Sequence, residues 1–143
     1  MKVWTIGYEQ TTLDGFLDTL RAARVEVVAD VRAVAASRRP GFSKTALSGA
    51  LSEAGIAYRH FRALGTPADG RAAARAGRHA DLERIYAGQL ELPEAIAAGA
   101  ELAVLAGERR TALLCYERDA AHCHRTLLRE AMLPEFQQVD LLP

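Results

Sequence analysis

Cys115 and Cys123 are the chain's only cysteines, and Glu117, His122, His124 and Arg125 lie beside them. This short stretch offers a thiol nucleophile, a carboxylate acid or base, an imidazole and an anion-binding guanidinium. Glu117 is the candidate acid or base and Cys115 or Cys123 the candidate nucleophile, with His124 and Arg125 as candidate ligand-binding groups. A buried Cys115 late in a strand reads equally as a small hydrophobe. Cys123 gains thiolate character if it stands at the positive end of a helix. Two helix starts fit the pattern: Asp119 as N-cap puts Cys123 a turn inside, and a start at His122 puts it at the dipole's end.

Spacing removes several chemistries. Six positions after Cys115, where a cysteine phosphatase carries its arginine, stands Ala121, and Arg125 follows Cys123 by two. Phosphatase and rhodanese mechanisms are therefore disfavoured. The cysteines lack the paired short spacings of zinc sites, so no metal ligand and no cofactor is expected. The chain has no phosphate-binding Walker loop, dinucleotide glycine fingerprint or nucleophile elbow.

A second cluster is Asp30-Val31-Arg32, followed by Ser37-Arg38-Arg39-Pro40-Gly41-Phe42-Ser43. Arg32, Ser37 and Arg38 lie between a strand end and a helix start, where free backbone amides also favour an anion. The plainer reading is an Asp–Arg pair that ties the loop together. A third cluster is Tyr58-Arg59-His60-Phe61, in which alternation puts Tyr58 and His60 on one face and Arg59 and Phe61 on the other. His60 reads either as a ligand contact or as a hydrogen-bonded structural group.

The elements that must position these groups follow from periodicity. Residues 2–6 read as a strand, ended by Gly7. Thr11 with Asp14 resembles a capping box, and Leu13, Phe16, Leu17 and Leu20 mark one helical face. Residues 25–31 form a strand apolar enough to be buried on both sides. Ser43 can cap a helix over Ala46, Leu47, Ala50 and Leu51, with Gly55 at its stop. A third strand over 56–61 follows. Residues 65–77 carry turn chemistry without a core face and predict a surface excursion. Helices are expected over 80–90 and from Pro93 to about Ala106. A fourth strand spans 111–116, a helix contains Leu127, Leu128, Ala131 and Met132, and a last strand covers 136–142. Strands alternating with helices imply an α/β fold: one domain over 1–143, with an open, mostly parallel sheet covered by helices on both faces in a Rossmann-like, three-layer arrangement.

The 143 residues carry 18 basic and 18 acidic groups, yet the charge is unevenly spread. From Arg32 to Ala80 nine positive residues face only Glu53 and Asp69. Almost all the positive charge is guanidinium, suited to bidentate phosphate or carboxylate contacts. The bland alternative is that Arg71, Arg75 and Arg78 are simply solvated. No apolar run approaches the roughly 20 residues of a membrane span. The N-terminal residues enter a strand pattern without a signal-peptide core. A cytoplasmic placement, free thiols and no membrane partner are expected.

In order, the pieces Thr5-Ile6-Gly7-Tyr8, Asp30-Val31-Arg32, Ser37-Arg38-Arg39, Phe42-Ser43-Lys44, Leu47, Leu51, Gly55-Ile56, Tyr58, Leu64-Gly65, Leu114-Cys115-Tyr116-Glu117 and Cys123-His124-Arg125 resemble the bacterial and archaeal domain-of-unknown-function 488 family. Ala35 departs from the proline that the family often has before Ser-Arg. The resemblance covers nearly the whole chain and assigns no chemistry to the matching positions. From the residues themselves, the leading expectation is a crevice for an anionic, phosphate-bearing ligand, a nucleotide or nucleic-acid fragment. Arg32, Arg38 and Arg125 would hold it, and catalysis and plain binding both fit. The rival is a non-catalytic nucleic-acid-binding module using the arginine-rich segment 32–80.

Overall fold

A computed structural model describes residues 1–143, the side chain of His122 excepted. The strands are β1 (Lys2–Gly7), β2 (Val27–Asp30), β3 (Ala57–His60), β4 (Thr111–Cys115) and β5 (Gln137–Leu141). The helices are α1 (Leu13–Ala22), α2 (Lys44–Glu53), α3 (Ala68–Arg75), α4 (His79–Leu90), α5 (Pro93–Glu108) and α6 (His124–Met132), with short 3-10 turns at Arg62–Leu64 and Ala120–His122. The sheet order is β3-β2-β4-β1-β5, and every pairing is parallel. The α/β expectation of an open sheet with helices on both faces is met.

Alternation along the buried strands builds two cores. Trp4, Ile6, Val28, Ala112 and Leu114 meet Phe16, Leu17 and Leu20 of α1 and Leu47 and Leu51 of α2. Val3, Val27, Ala29 and Leu113 meet Tyr86 of α4, Leu102 and Leu105 of α5 and Leu128 of α6 on the opposite face. The connection after β1 therefore leaves to one face, while that after its neighbour β4 leaves to the other. The chain parts at the carboxyl ends of these adjacent strands, which is where open α/β sheets form a ligand crevice.

Some elements differ from their sequence outlines. Thr12, not Thr11, caps α1, its hydroxyl accepting from the Gly15 amide at 3.1 Å. Ser43 stands at the N-cap of α2 but bonds Ser37 rather than the helix. The expected excursion over 65–77 contains α3, whose buried positions are Gly70 and Ala73. Gly70 lies against α4 so closely that a Cβ there would fall 3.2 Å from Ile85 Cγ2. A contact face of glycine and alanine lets two helices approach without any large apolar residue. It therefore carries no hydrophobic period to read. Among the described residues no helix is long and apolar enough to cross a membrane.

Candidate functional site

Asp30 ends β2 and is fully buried at 0% exposure, and Arg32 is 5% exposed. The guanidinium grips the carboxylate in fork geometry, Nε to Oδ1 at 2.9 Å and Nη2 to Oδ2 at 2.7 Å. The Arg32 amide also donates to Oδ1 at 3.1 Å, and Tyr58 donates its hydroxyl to Oδ2. The remaining Nη1 reaches Phe42 O at 2.7 Å and Tyr8 Oη at 3.3 Å. Burial alone would lower the Arg32 pKa, but the bonds and charge of Asp30 hold it above its ordinary range. Burial and the bond to Asp30 likewise push the Tyr58 phenol well up. Arg32 thus pins the loop 37–43 to the sheet, and its charge is matched by Asp30. Tyr58→Phe removes a donor from a buried carboxylate and is expected to cost about 1.5–3 kcal/mol in chemical unfolding.

The loop beyond Arg32 is held by its own polar groups. Ser37 N donates to Ser43 Oγ at 3.0 Å, Ser37 Oγ accepts from Arg39 N at 3.1 Å, and Arg39 Nη2 donates to Thr11 O. Arg38 is exposed and lies outside the crevice lining. His60 Nε2 stands 2.8 Å from Arg32 O and so donates to it. Ser37, Arg38 and His60 are therefore not brought to the crevice with the sulfur groups.

The second half of the site hangs on β4 and α6. Cys123 is the N-cap of α6, with its Sγ accepting from the Arg125 amide at 3.4 Å. Asp119 instead caps the preceding 3-10 turn. The thiol therefore stands at the positive end of the helix. Arg125, at 0% exposure, donates Nε to Cys123 Sγ at 2.9 Å and Nη2 to Glu117 O. Burial would raise the Cys123 pKa, but the bond to Cys115, the charge of Arg125 and the neighbouring His124 ring carry it well below the usual thiol range. Cys115 moves the other way, raised by its bond to Cys123 and by burial. Burial and the neighbouring Cys123 also raise Glu117. Cys115 Sγ also lies 3.3 Å from Glu117 Oε2 and 3.7 Å from His124 Nδ1. His124 is locked from both sides: Nε2 lies 2.6 Å from Val31 O, and the ring packs edge-on against Tyr86 at 5.1 Å. The Sγ atoms of Cys115 and Cys123 and a His124 ring nitrogen all lie within 4.8 Å of one another, a convergence unexpected from their spacing in the chain.

Between the two halves lies a pocket of about 300 Å³. Cys115, Cys123, His124 and Glu117 line it together with Tyr8, Arg32, Val34 and Tyr116. Arg71 and Arg75 of α3 also line it, and Arg71 Nη1 is steadied by Thr66 O at 2.9 Å. In the sequence these two arginines read equally as anion contacts or as solvated charges. Their four-residue spacing was the available signal, since it places both on one helical face. Tyr8 was the other omission. Its ring stacks on Phe42 at a centroid distance of 4.6 Å.

The parallel sheet, its divergent β1 and β4 connections and the pocket over their carboxyl ends define an α/β protein with a switch-point crevice. Over residues 12–132 the chain matches the family described as domain of unknown function DUF488, and it belongs to that family. That span includes the Asp30–Arg32 pair and the cysteine segment; β1 and β5 lie outside it. No curated protein and no solved structure matches the chain.

Proposed function

We propose that the crevice binds a small organic anion carrying phosphate, of the nucleotide or short nucleic-acid class, and holds it over the sulfur cluster. The supporting observation is the pocket lining: among the described residues Arg32, Arg71 and Arg75 line it, with Glu117 as the one acidic group beside them. Arg32 is already matched by Asp30, so the anion falls to Arg71 and Arg75. Guanidinium forks suit phosphate oxygens. Tyr116 and Val34, both partly exposed at the mouth, offer an aromatic and an apolar surface to the body of the ligand. Glu117 is the acid or base beside the bound molecule.

A thermal-shift series with nucleoside phosphates, sugar phosphates, short oligonucleotides and inorganic phosphate tests this reading. Saturation at about 100 times Kd adds about 2.7 kcal/mol to the folded state. Each lost charge-assisted bond is worth about 1.5–3 kcal/mol. The pair Arg71→Ala and Arg75→Ala is therefore expected to weaken binding by about 100-fold or more, with little change in the stability of the free protein. Equal shifts from neutral sugars, or none from any phosphate, would sink the reading.

The rival, a nucleic-acid module built on the segment 32–80, starts with fewer free charges than the sequence offers. Arg32 pairs with Asp30, Arg59 with Glu101 and Arg78 with Asp81. DNA or RNA binding that falls steeply with salt and survives loss of Arg71 and Arg75 would favour it instead.

A further inference from the structure

From the floor of the crevice we infer a second site: Cys115, Cys123 and His124 bind a borderline-soft divalent ion, Zn²⁺ by their chemistry, with its fourth position open to the pocket. This goes beyond the anion-binding reading and does not depend on it. Two thiol sulfurs and an imidazole are the donors such an ion prefers.

Geometry supports the inference first. Zn–S bonds of about 2.3 Å and Zn–N bonds of about 2.0 Å place the donors of a tetrahedral centre roughly 3.5–3.8 Å apart. Cys115 Sγ and His124 Nδ1 already stand 3.7 Å apart, and no pair in the triad exceeds 4.8 Å. Side-chain adjustments of about an ångström therefore complete the centre without moving β4 or α6.

The tautomer of His124 supplies a second, independent observation. Its Nε2 faces Val31 O at 2.6 Å, and a carbonyl only accepts, so Nε2 carries the proton. In the neutral ring, the form that binds a metal, the lone pair is then on Nδ1, the nitrogen that faces Cys115. A ligating histidine whose other ring N–H is tied to a backbone carbonyl is the usual outer-shell arrangement of a metal site. Arg125 plays the matching part for sulfur, donating Nε to Cys123 Sγ at 2.9 Å.

Charge and access complete the case. A divalent ion with two thiolates is neutral, and the buried Arg125 guanidinium beside Cys123 is then opposed by Glu117. All three ligands line the pocket, so a fourth ligand enters from that side. Glu117 sits 3.3 Å from Cys115 Sγ, beside the centre and outside the tight triad. Two thiolates and one histidine with an open position form a ligand set of the catalytic rather than the structural type. Its donors come from a strand end and a helix start, which is why the paired spacing of a zinc knuckle is missing.

The test is a Co²⁺ titration of the reduced, chelator-stripped full chain. One ion per chain is expected, with a thiolate-to-cobalt charge-transfer band, a tetrahedral visible envelope, and displacement by Zn²⁺. Cys115→Ser and Cys123→Ser should each remove about half of the charge-transfer band. Each should also weaken Zn²⁺ binding by more than the roughly 10–100-fold that loss of an outer-shell partner costs. Circular dichroism checks that these variants fold. Should one unfold, the wild-type band and a rise in wild-type Tm with Zn²⁺ still decide the matter. No charge-transfer band, no Zn²⁺-dependent Tm rise, or uptake unchanged in folded Cys123→Ser overturns the site. The titration contains no nucleotide or phosphate, so its failure leaves the anion reading standing, and failure of the phosphate screen leaves this one.

Discussion

Arg32→Met is expected to lower the unfolding free energy by about 3–5 kcal/mol, the cost of stranding one member of a buried ion pair. Set against a total of about 5–15 kcal/mol for a domain, that brings the chain close to its folding threshold. The cause is Asp30, which has no exposed surface and receives two side-chain N–H groups and the backbone amide of Arg32. Without the guanidinium, the Tyr58 hydroxyl and one amide remain to solvate a full negative charge. Asp30→Leu should also be costly, since it leaves the guanidinium buried without its counter-charge. The double variant Asp30→Leu/Arg32→Met removes both charges and should recover part of the loss, because apolar groups of similar volume often replace a buried pair at little cost. Recovery stays incomplete, since Arg32 also holds Phe42 O. Denaturant midpoints of the four proteins give the coupling energy directly. A loss under about 1 kcal/mol for Arg32→Met, the range of exposed pairs, would show that water reaches the site.

The second buried guanidinium is matched differently, and that difference separates scaffold from chemistry. Arg32 faces a carboxylate that accepts from three groups of this same segment and tyrosine, so the pair is closed on itself. Arg125 faces a sulfur, and its buried Nη1 has no hydrogen-bond partner among the described residues. A carboxylate beside Arg125 would make a stronger pair and an inert one. Sulfur keeps a polarisable atom at the crevice floor, and the guanidinium beside it favours the thiolate. The helix start adds to this, because Cys123 is both N-cap and the partner of Arg125.

Much of the scaffold was legible in the chain. The runs that became β2 and β4 carry their apolar residues without interruption, that of β1 breaks only at Thr5, and Leu13, Phe16, Leu17 and Leu20 mark α1 at helical spacing. Pro93 marks the start of α5 by its fixed φ. What stayed hidden depends on contacts between distant segments. α3 packs through Gly70 and Ala73, so its buried face has no apolar signature. The start of α6 could not be fixed, because both Asp119 and Cys123 cap something, one a 3-10 turn and the other the helix. Arg32 and Arg38 looked alike in the sequence. One found a buried carboxylate two residues away, and the other points from a loop closed by Ser37 and Ser43. The meeting of Cys115 with His124 needed the crossover of α6, which periodicity locates but does not aim.

Gly7→Ala should be the most damaging small substitution at the site, costing about 3 kcal/mol through overpacking and a lost bond to a charged donor. Gly7 ends β1 in register with Cys115, and the chain after β4 turns directly across it. A Cβ at Gly7 would fall 1.8 Å from Glu117 O and 2.5 Å from Glu117 C, both backbone atoms without a rotamer to yield. The turn is also tied to β1 on either side of the contact. Glu9 N donates to Tyr116 O at 2.9 Å, and Arg118 N donates to Glu9 Oε1 at 3.0 Å. Displacing Glu117 O takes away the acceptor of Arg125 Nη2, and the guanidinium that faces Cys123 shifts with it. One methyl group thus reaches the sulfur cluster through three linked contacts. Gly49→Ala is the matched control: it lies in α2 with nothing within 4 Å of the added Cβ, and should stabilise by about 0.5–1 kcal/mol. Unfolding midpoints of the two variants should move in opposite senses, while the Co²⁺ band is lost or weakened in Gly7→Ala and intact in Gly49→Ala. Equal stability of both variants would mean that the Glu117 turn yields freely, and the crevice floor would then not be the fixed frame that its hydrogen bonds describe.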